Sequence, residues 1–305
     1  MYESHFGLRE KPFGVSPDPR FLFSTKETDE AMACLTYGVV DRRGFIELTG
    51  EVGTGKTTIL NLFLDWLHHS NIPAAFVFNP RLDLPEFLDY VMTDWGMPCE
   101  SLSKGQKLLR LNHWLLQRYR SNETAVLIID EAQDLSMELL EEVRLLTNLE
   151  TQTEKLLQIV LCGQPELEDK LWDPRLRQLR QRITLRCRTR ALTLLETRNY
   201  IASRLAAAGR VGNSLFSLEA ITSIYKHSLG VPRLINLLCD HAMIAAYVEG
   251  AECVTSVCVE GVATEFDLQN DEVSDHQDKL RPEECDFGGR PTEFKAIKDQ
   301  ERPLD

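Results

Sequence analysis

The chain has 305 residues, 43% of them hydrophobic and 27% charged, with a formal net charge of −13. That is enough for one large or two modest domains with real cores, and it is too acidic for a protein that coats nucleic acid through a general basic surface. Eight scattered cysteines with no C-x-x-C pair exclude a zinc module and point to a reduced, cytoplasmic setting, and neither a leader-like N-terminus nor a membrane-length apolar run of ~20 residues is found.

Residues 1–24 set Phe6, Phe13, Phe21 and Phe23 among Pro12, Pro17 and Pro19. This mixture predicts an irregular arm docked on a domain through its rings, with a place beside a bound base as the second reading. Residues 25–190 then alternate between helix and strand patterns. Ala31, Cys34, Leu35 and Gly38 share one face of a helix over 25–40, and Phe45-Ile46-Glu47-Leu48 reads as a strand. The strand runs into Gly50-Glu51-Val52-Gly53-Thr54-Gly55-Lys56-Thr57, a complete G-x-x-x-x-G-K-[ST] phosphate loop, and a helix over 56–69 follows. The glycines let successive N–H groups curl onto phosphate oxygens, while the positive end of the helix faces the same anion. Lys56 is expected to reach the β- and γ-phosphates and Thr57 to place its hydroxyl on Mg²⁺. With Thr58, these loop residues form the expected nucleotide cradle.

A buried strand over 74–78, closed by Asn79-Pro80, precedes helices over 84–95 and 104–120 and a second buried strand over 125–129. That strand delivers Asp130-Glu131-Ala132-Gln133 to its C-terminal edge, where ligands of open α/β sheets sit. Asp130 is expected to hold Mg²⁺ and Glu131 to orient and deprotonate the attacking water. A bare helix cap is the structural alternative, and it loses weight downstream of a full phosphate loop. A helix over 136–149 and a strand over 156–162 lead to Gly163-Gln164-Pro165, where Gln164 is placed to sense the γ-phosphate or the lytic water. A turn cap is its plainer role.

Seven arginines, at 175, 177, 180, 182, 186, 188 and 190, crowd around the strand Ile183-Thr184-Leu185. A solvated basic face explains most such runs. In an acidic protein the same run suggests insertion into a neighbouring subunit's site, with Arg182 first and Arg180 behind it. From 191 to 266 the periodicity is purely helical, over 195–207, 217–228, 232–249 and 255–265, and Gly230-Val231-Pro232-Arg233 sets an arginine at a helix start within reach of the cleft. Residues 267–305 read as a disordered acidic tail. The fold expected is α/β, a P-loop NTPase with a mostly parallel doubly wound sheet, followed by a small all-helical lid. No Asn-Lys-x-Asp run reads guanine, so the nucleotide expected is ATP.

This set of stretches resembles the AAA+ ATPases, and within them the ExeA/GspA-like family named for general secretion pathway protein A. The likeness covers about residues 1–265. It rests on Phe6-Gly7-Leu8-Arg9-Glu10-Lys11-Pro12-Phe13 with Pro17-Asp18-Pro19, on the phosphate loop, and on Ile128-Ile129-Asp130-Glu131-Ala132-Gln133. Leu145-Leu146-Thr147-Asn148-Leu149-Glu150, Gly163-Gln164-Pro165-Glu166-Leu167, Leu179-Arg180-Gln181-Arg182-Ile183 and Gly230-Val231-Pro232-Arg233-Leu234-Ile235-Asn236 complete it. The resemblance implies a hydrolase of ATP with Mg²⁺, Arg233 as the lid's sensor arginine, and homo-oligomers whose interfaces carry an arginine finger. It also implies an envelope-assembly partner in secretion, pilus or polysaccharide machinery. Longer members continue into a membrane helix and a peptidoglycan-binding domain that this sequence lacks, so the expectation is a cytoplasmic ATPase recruited to the inner membrane by a partner. The rival reading is a DNA-associated ATPase resembling the transposition helpers MuB and TniB, favoured by the arginine run and opposed by the net charge. A third is a nucleotide-gated scaffold without turnover, which the intact Glu131 opposes.

Overall fold

A computed structural model describes residues 2–14, 19–78, 81–99, 101–212 and 214–268. Pro17-Asp18, Asn79-Pro80 and all of the expected acidic tail beyond 268 lie outside the described residues.

In chain order the first half comprises α1 (Tyr2–His5), α2 (Lys26–Val40), β1 (Phe45–Thr49), α3 (Lys56–His69), β2 (Ala74–Val77), α4 (Leu84–Asp94), α5 (Lys104–Arg120) and β3 (Ala125–Ile129). There follow α6 (Met137–Leu146), β4 (Leu157–Gly163), α7 (Pro165–Leu171), α8 (Arg177–Arg182) and β5 (Ile183–Arg188), then α9 (Leu194–Ala207), α10 (Leu218–Ser228), α11 (Pro232–Val248) and α12 (Ser256–Glu265). The five strands form one parallel sheet in the order β2-β3-β4-β1-β5.

The pleat sorts each central strand between two cores. On β3, Ala125, Leu127 and Ile129 join the side chains of α4, α5 and α6, whereas Val126 and Ile128 face α2 and α3. On β4, Ile159 and Leu161 go with the first set and Val160 and Cys162 with the second. Burial on both faces explains why β1, β3 and β4 are apolar nearly throughout. The edge strands differ from the expected uniform run. β2 and β5 alternate, and β5 extends past Leu185 so that Arg186 and Arg188 lie exposed on the sheet's open margin, a charge placement that blunts edge pairing. The arginine run upstream is itself helical, in α8, which charge alone did not signal.

A third core joins the N-terminal arm to the helices after 191: Tyr2, Phe6, Phe13 and Phe21 pack with Ile201, Leu205, Ile224, Leu238 and Val259. The arm is not wholly irregular, since α1 makes one helical turn and Tyr2 bonds Asp240 on α11. The Arg204 guanidinium on α9 donates to the Pro12 carbonyl at 2.6 Å and lies 5.0 Å from the Phe21 ring centre.

Between sheet and helices sits one ionic joint. Arg190 donates to Glu27 Oε1 on α2 at 2.8 Å and to both carboxylate oxygens of Glu196 on α9 at 2.9 and 3.0 Å. Glu196 also completes a capping box with Thr193. Its carboxyl is held down at about 2, first by Arg190 and then by the Thr193 N–H. A depressed carboxyl stabilises the fold above its unfolded value of about 4.3, and that contribution is lost as pH falls through about 2. Arg190→Met is expected to cost roughly 1 kcal/mol at pH 7, the upper range for an ion pair reached by solvent. In urea unfolding across pH, the gap between wild type and variant should close between about pH 4.3 and 2; a gap that is the same at pH 7 and pH 2 would contradict this assignment.

Candidate nucleotide site

The C-terminal end of β1 opens into the phosphate loop. Gly53 and Gly55 have φ of +79° and +103°, the left-handed region that a Cβ penalises, and Gly55 is the N-cap of α3. Lys56 is 7% exposed. Its ammonium donates to the carbonyls of Gly50 at 2.6 Å and Glu51 at 3.0 Å. A loop that curls two carbonyls around a buried cation at the first turn of a 14-residue helix is built to receive an anion.

β4 lies between β1 and β3, so the Asp130-Glu131 pair stands two strands from the loop. Asp130 is 8% exposed and accepts the Glu131 N–H at 2.9 Å. Burial pushes its carboxyl above the usual range, against the pull of that N–H, of Cys162 and of the nearby Lys56 charge. Glu131 adopts φ +49°. For a residue with a Cβ this costs on the order of 1 kcal/mol, a local strain of the sort that collects at functional sites. Its Oε2 accepts from Gln133 Nε2 at 2.6 Å and from Gln164 Nε2 at 3.2 Å, and Gln133 Oε1 takes the Gln164 backbone N–H at 3.1 Å. Two amides therefore fix one carboxylate oxygen and leave Oε1 for other work.

A cleft of about 540 Å³ runs from Gly53–Ile59 past Glu131 to Arg233, and on to Phe13, Phe21, Tyr200 and Leu237. That volume suits a nucleotide-sized ligand. One end is polar and phosphate-like in its demands, and the other is aromatic. The start of α11 meets the loop directly: Arg233 N donates to Gly53 O at 3.3 Å, and a Cβ on Gly53 would lie 2.8 Å from Arg233 Cβ.

Residues 52–58 of the phosphate loop, Glu131 and Arg233 thus share one cleft; Gly50, Glu51, Asp130 and Gln164 do not line it, Asp130 standing next to Glu131 in the chain and Gln164 bonded to it. Arg180 and Arg182 do not line it. Arg182 donates to Arg144 O, Thr147 Oγ1 and Asn148 Oδ1 at 3.2, 2.7 and 2.8 Å, closing the end of α6. Arg180 stacks over the exposed Trp172 ring at 3.9 Å.

The donor set suits Mg²⁺. Thr57 offers an exposed hydroxyl and Asp130 a desolvated carboxylate, both hard oxygens. Among the described residues there is no group of three or more His, Cys, Asp or Glu side chains that could hold a metal alone. The coordination that Thr57 and Asp130 leave open suits a cation shared with phosphate oxygens and water.

In the sequence Gln133 stands out only as part of a motif, and Thr189, Tyr200 and Arg204 do not stand out as site residues. The signal for Gln133 was an amide two residues past a carboxylate. For the other three there was none, because tertiary packing alone brings them to the cleft.

Parallel sheet, phosphate loop, acid pair and apposed helices together define a P-loop NTPase of the AAA+ class, and an AAA domain family matches residues 40–171. The solved folds of the Aeropyrum pernix ORC2 protein, determined as ADPNP–ADP complexes, and of Cdc6p from Pyrobaculum aerophilum are similar. Their TM-scores are 0.61 and 0.62, at 15% and 18% identity, over 84% and 83% of this chain and 71% and 70% of theirs. General secretion pathway protein A of Aeromonas hydrophila is 43% identical over 253 residues, which is 82% of this chain and 46% of that protein. The chain belongs to the general secretion pathway protein A-like family of AAA+ ATPases, and it spans about half the length of that relative.

Gln133→Leu frees Glu131 while keeping the bulk of the side chain. It is expected to lower kcat for ATP roughly tenfold, with KM within about twofold and melting temperature little changed. Phosphate-release kinetics decide this, and an unchanged kcat would remove Gln133 from the site.

Proposed function

We propose that this protein binds and hydrolyses ATP with Mg²⁺ and uses the cycle to drive assembly of an envelope machine, such as a secretion channel, pilus or polysaccharide exporter. The observation that carries the reading is the Glu131 carboxylate, pinned by Gln133 and Gln164 in the same cleft as Lys56 and Arg233. The cradle from Gly50 to Thr58 binds the triphosphate through its N–H groups, and Lys56 leaves the Gly50 and Glu51 carbonyls for the β- and γ-phosphates. Glu131 Oε1 takes the proton of the attacking water, while Gln164 orients that water or the γ-phosphate. Arg233 balances the charge that develops on the phosphate oxygens. Thr57 and Asp130 would hold Mg²⁺, which would neutralise phosphate charge there.

Arg180 and Arg182 act across a homo-oligomer contact, in a neighbouring subunit's site; Arg182 gives up its three bonds at the end of α6 to do so. Among the described residues no helix is long and apolar enough to cross a membrane. A cytoplasmic protein recruited to the inner membrane by its partner is consistent with that and with the relative's name. The DNA-associated reading loses support from the arginine run. Arg175, Arg186 and Arg188 pair with Asp173, Glu47 and Glu168, and Arg190 with Glu27 and Glu196, so much of the run's charge is neutralised within the chain.

Glu131→Gln is expected to slow turnover by about 10²- to 10⁴-fold, with ATP affinity within a few-fold of wild type. Calorimetry alongside phosphate release separates the two effects. Wild-type turnover in the variant would refute the assigned base, and turnover stimulated by DNA in a salt-dependent manner would restore the rival reading.

A further inference from the structure

Thr189, the first residue after β5, abuts the phosphate loop. Its backbone N–H donates to Thr49 O at 2.8 Å, and its Oγ1 lies 2.7 Å from Thr54 Oγ1. A Cβ on Gly50 would fall 1.9 Å from that hydroxyl, so the glycine is what lets the two backbones meet. The donor order follows from proton count. Thr54 Oγ1 has Glu51 O at 2.7 Å, whereas Thr189 Oγ1 has a carbonyl, Thr49 O, only at 3.4 Å; with the Thr54 proton on the nearer carbonyl, Thr189 is the donor across the 2.7 Å contact between the two hydroxyls. The chain Thr189, Thr54, Glu51 carbonyl ends on an oxygen that also accepts Lys56 at 3.0 Å. From Thr189 the connection continues outward. Leu192 N donates to Gly230 O at 2.8 Å, ahead of α11, and α11 returns to the loop through Arg233 N and Gly53 O.

We propose that Thr189 is a positioning residue: its hydroxyl sets the phosphate loop in its receptive form and ties the loop's shape to the segment that carries the helices after 191. This rests on the nucleotide reading of the cleft. When Lys56 turns to phosphate, the Glu51 carbonyl keeps Thr54, Thr54 keeps Thr189, and the linker stays in register with the loop. Without the hydroxyl, the loop is ordered only when nucleotide arrives, and binding bears that cost.

Thr189→Val keeps the shape and removes the donor, whereas Thr189→Ser keeps the donor. In hydrogen exchange of the nucleotide-free protein, the amides of residues 51–57 are expected to exchange about fivefold faster in the Val variant and at the wild-type rate in the Ser variant. KM for ATP should rise about fivefold in Val with kcat within twofold, and Ser should restore it. Wild-type loop exchange and KM in Val, whatever its melting temperature, would overturn the proposal, and so would a Ser variant that behaves like Val. Failure of the wild type to bind ATP in calorimetry would sink the nucleotide reading alone, because the exchange comparison needs no nucleotide.

Discussion

A buried ammonium group organises the site. Lys56 is withdrawn from water at the first turn of α3, and the phosphate loop curls so that the Gly50 and Glu51 carbonyls solvate it. A cation held this way costs desolvation that two neutral carbonyls offset only in part, so it strongly favours an incoming anion. Sheet order supplies the rest. With β4 between β1 and β3, the acid pair stands two strand spacings away, about 10 Å, and Gln164 directly follows the strand between. A triphosphate laid from the loop toward that pair meets a positive cradle at one end and a fixed carboxylate at the other.

The same economy governs the chain's charge. With a net charge of −13, the protein spends much of its late arginine run on internal pairing. Arg190 joins α2 to the start of α9, Arg182 closes the end of α6, and Arg186 lies beside the buried Glu47, whose carboxyl burial pushes upward. The N-terminal arm shares its core with the helices after 191 rather than with the sheet. Arm and helices therefore line the cleft jointly, Phe13 and Phe21 from the one and Tyr200 and Arg233 from the other.

Much of this was legible in the residues. The phosphate loop and acid pair are local patterns whose chemistry dictates their spacing, and the central strands announce themselves because burial on both faces leaves only apolar side chains. What escaped was non-local or masked by charge. α7 and α8 are too short for periodicity to register, and the arginines drew attention to function instead of helix. The alternation of the edge strands follows from their place in the sheet, which no single strand encodes. Thr189, Tyr200 and Arg204 enter the cleft from segments far from the loop in sequence, so their roles emerge only after folding.

The decisive observation is a structure of the wild-type protein crystallised with a non-hydrolysable ATP analogue and Mg²⁺. Lys56 Nζ is expected to have left the Gly50 and Glu51 carbonyls for phosphate oxygens, with the cation between Thr57 and Asp130 and Glu131 facing the terminal phosphate. A nucleotide bound elsewhere, with Lys56 still on its two carbonyls, would contradict it.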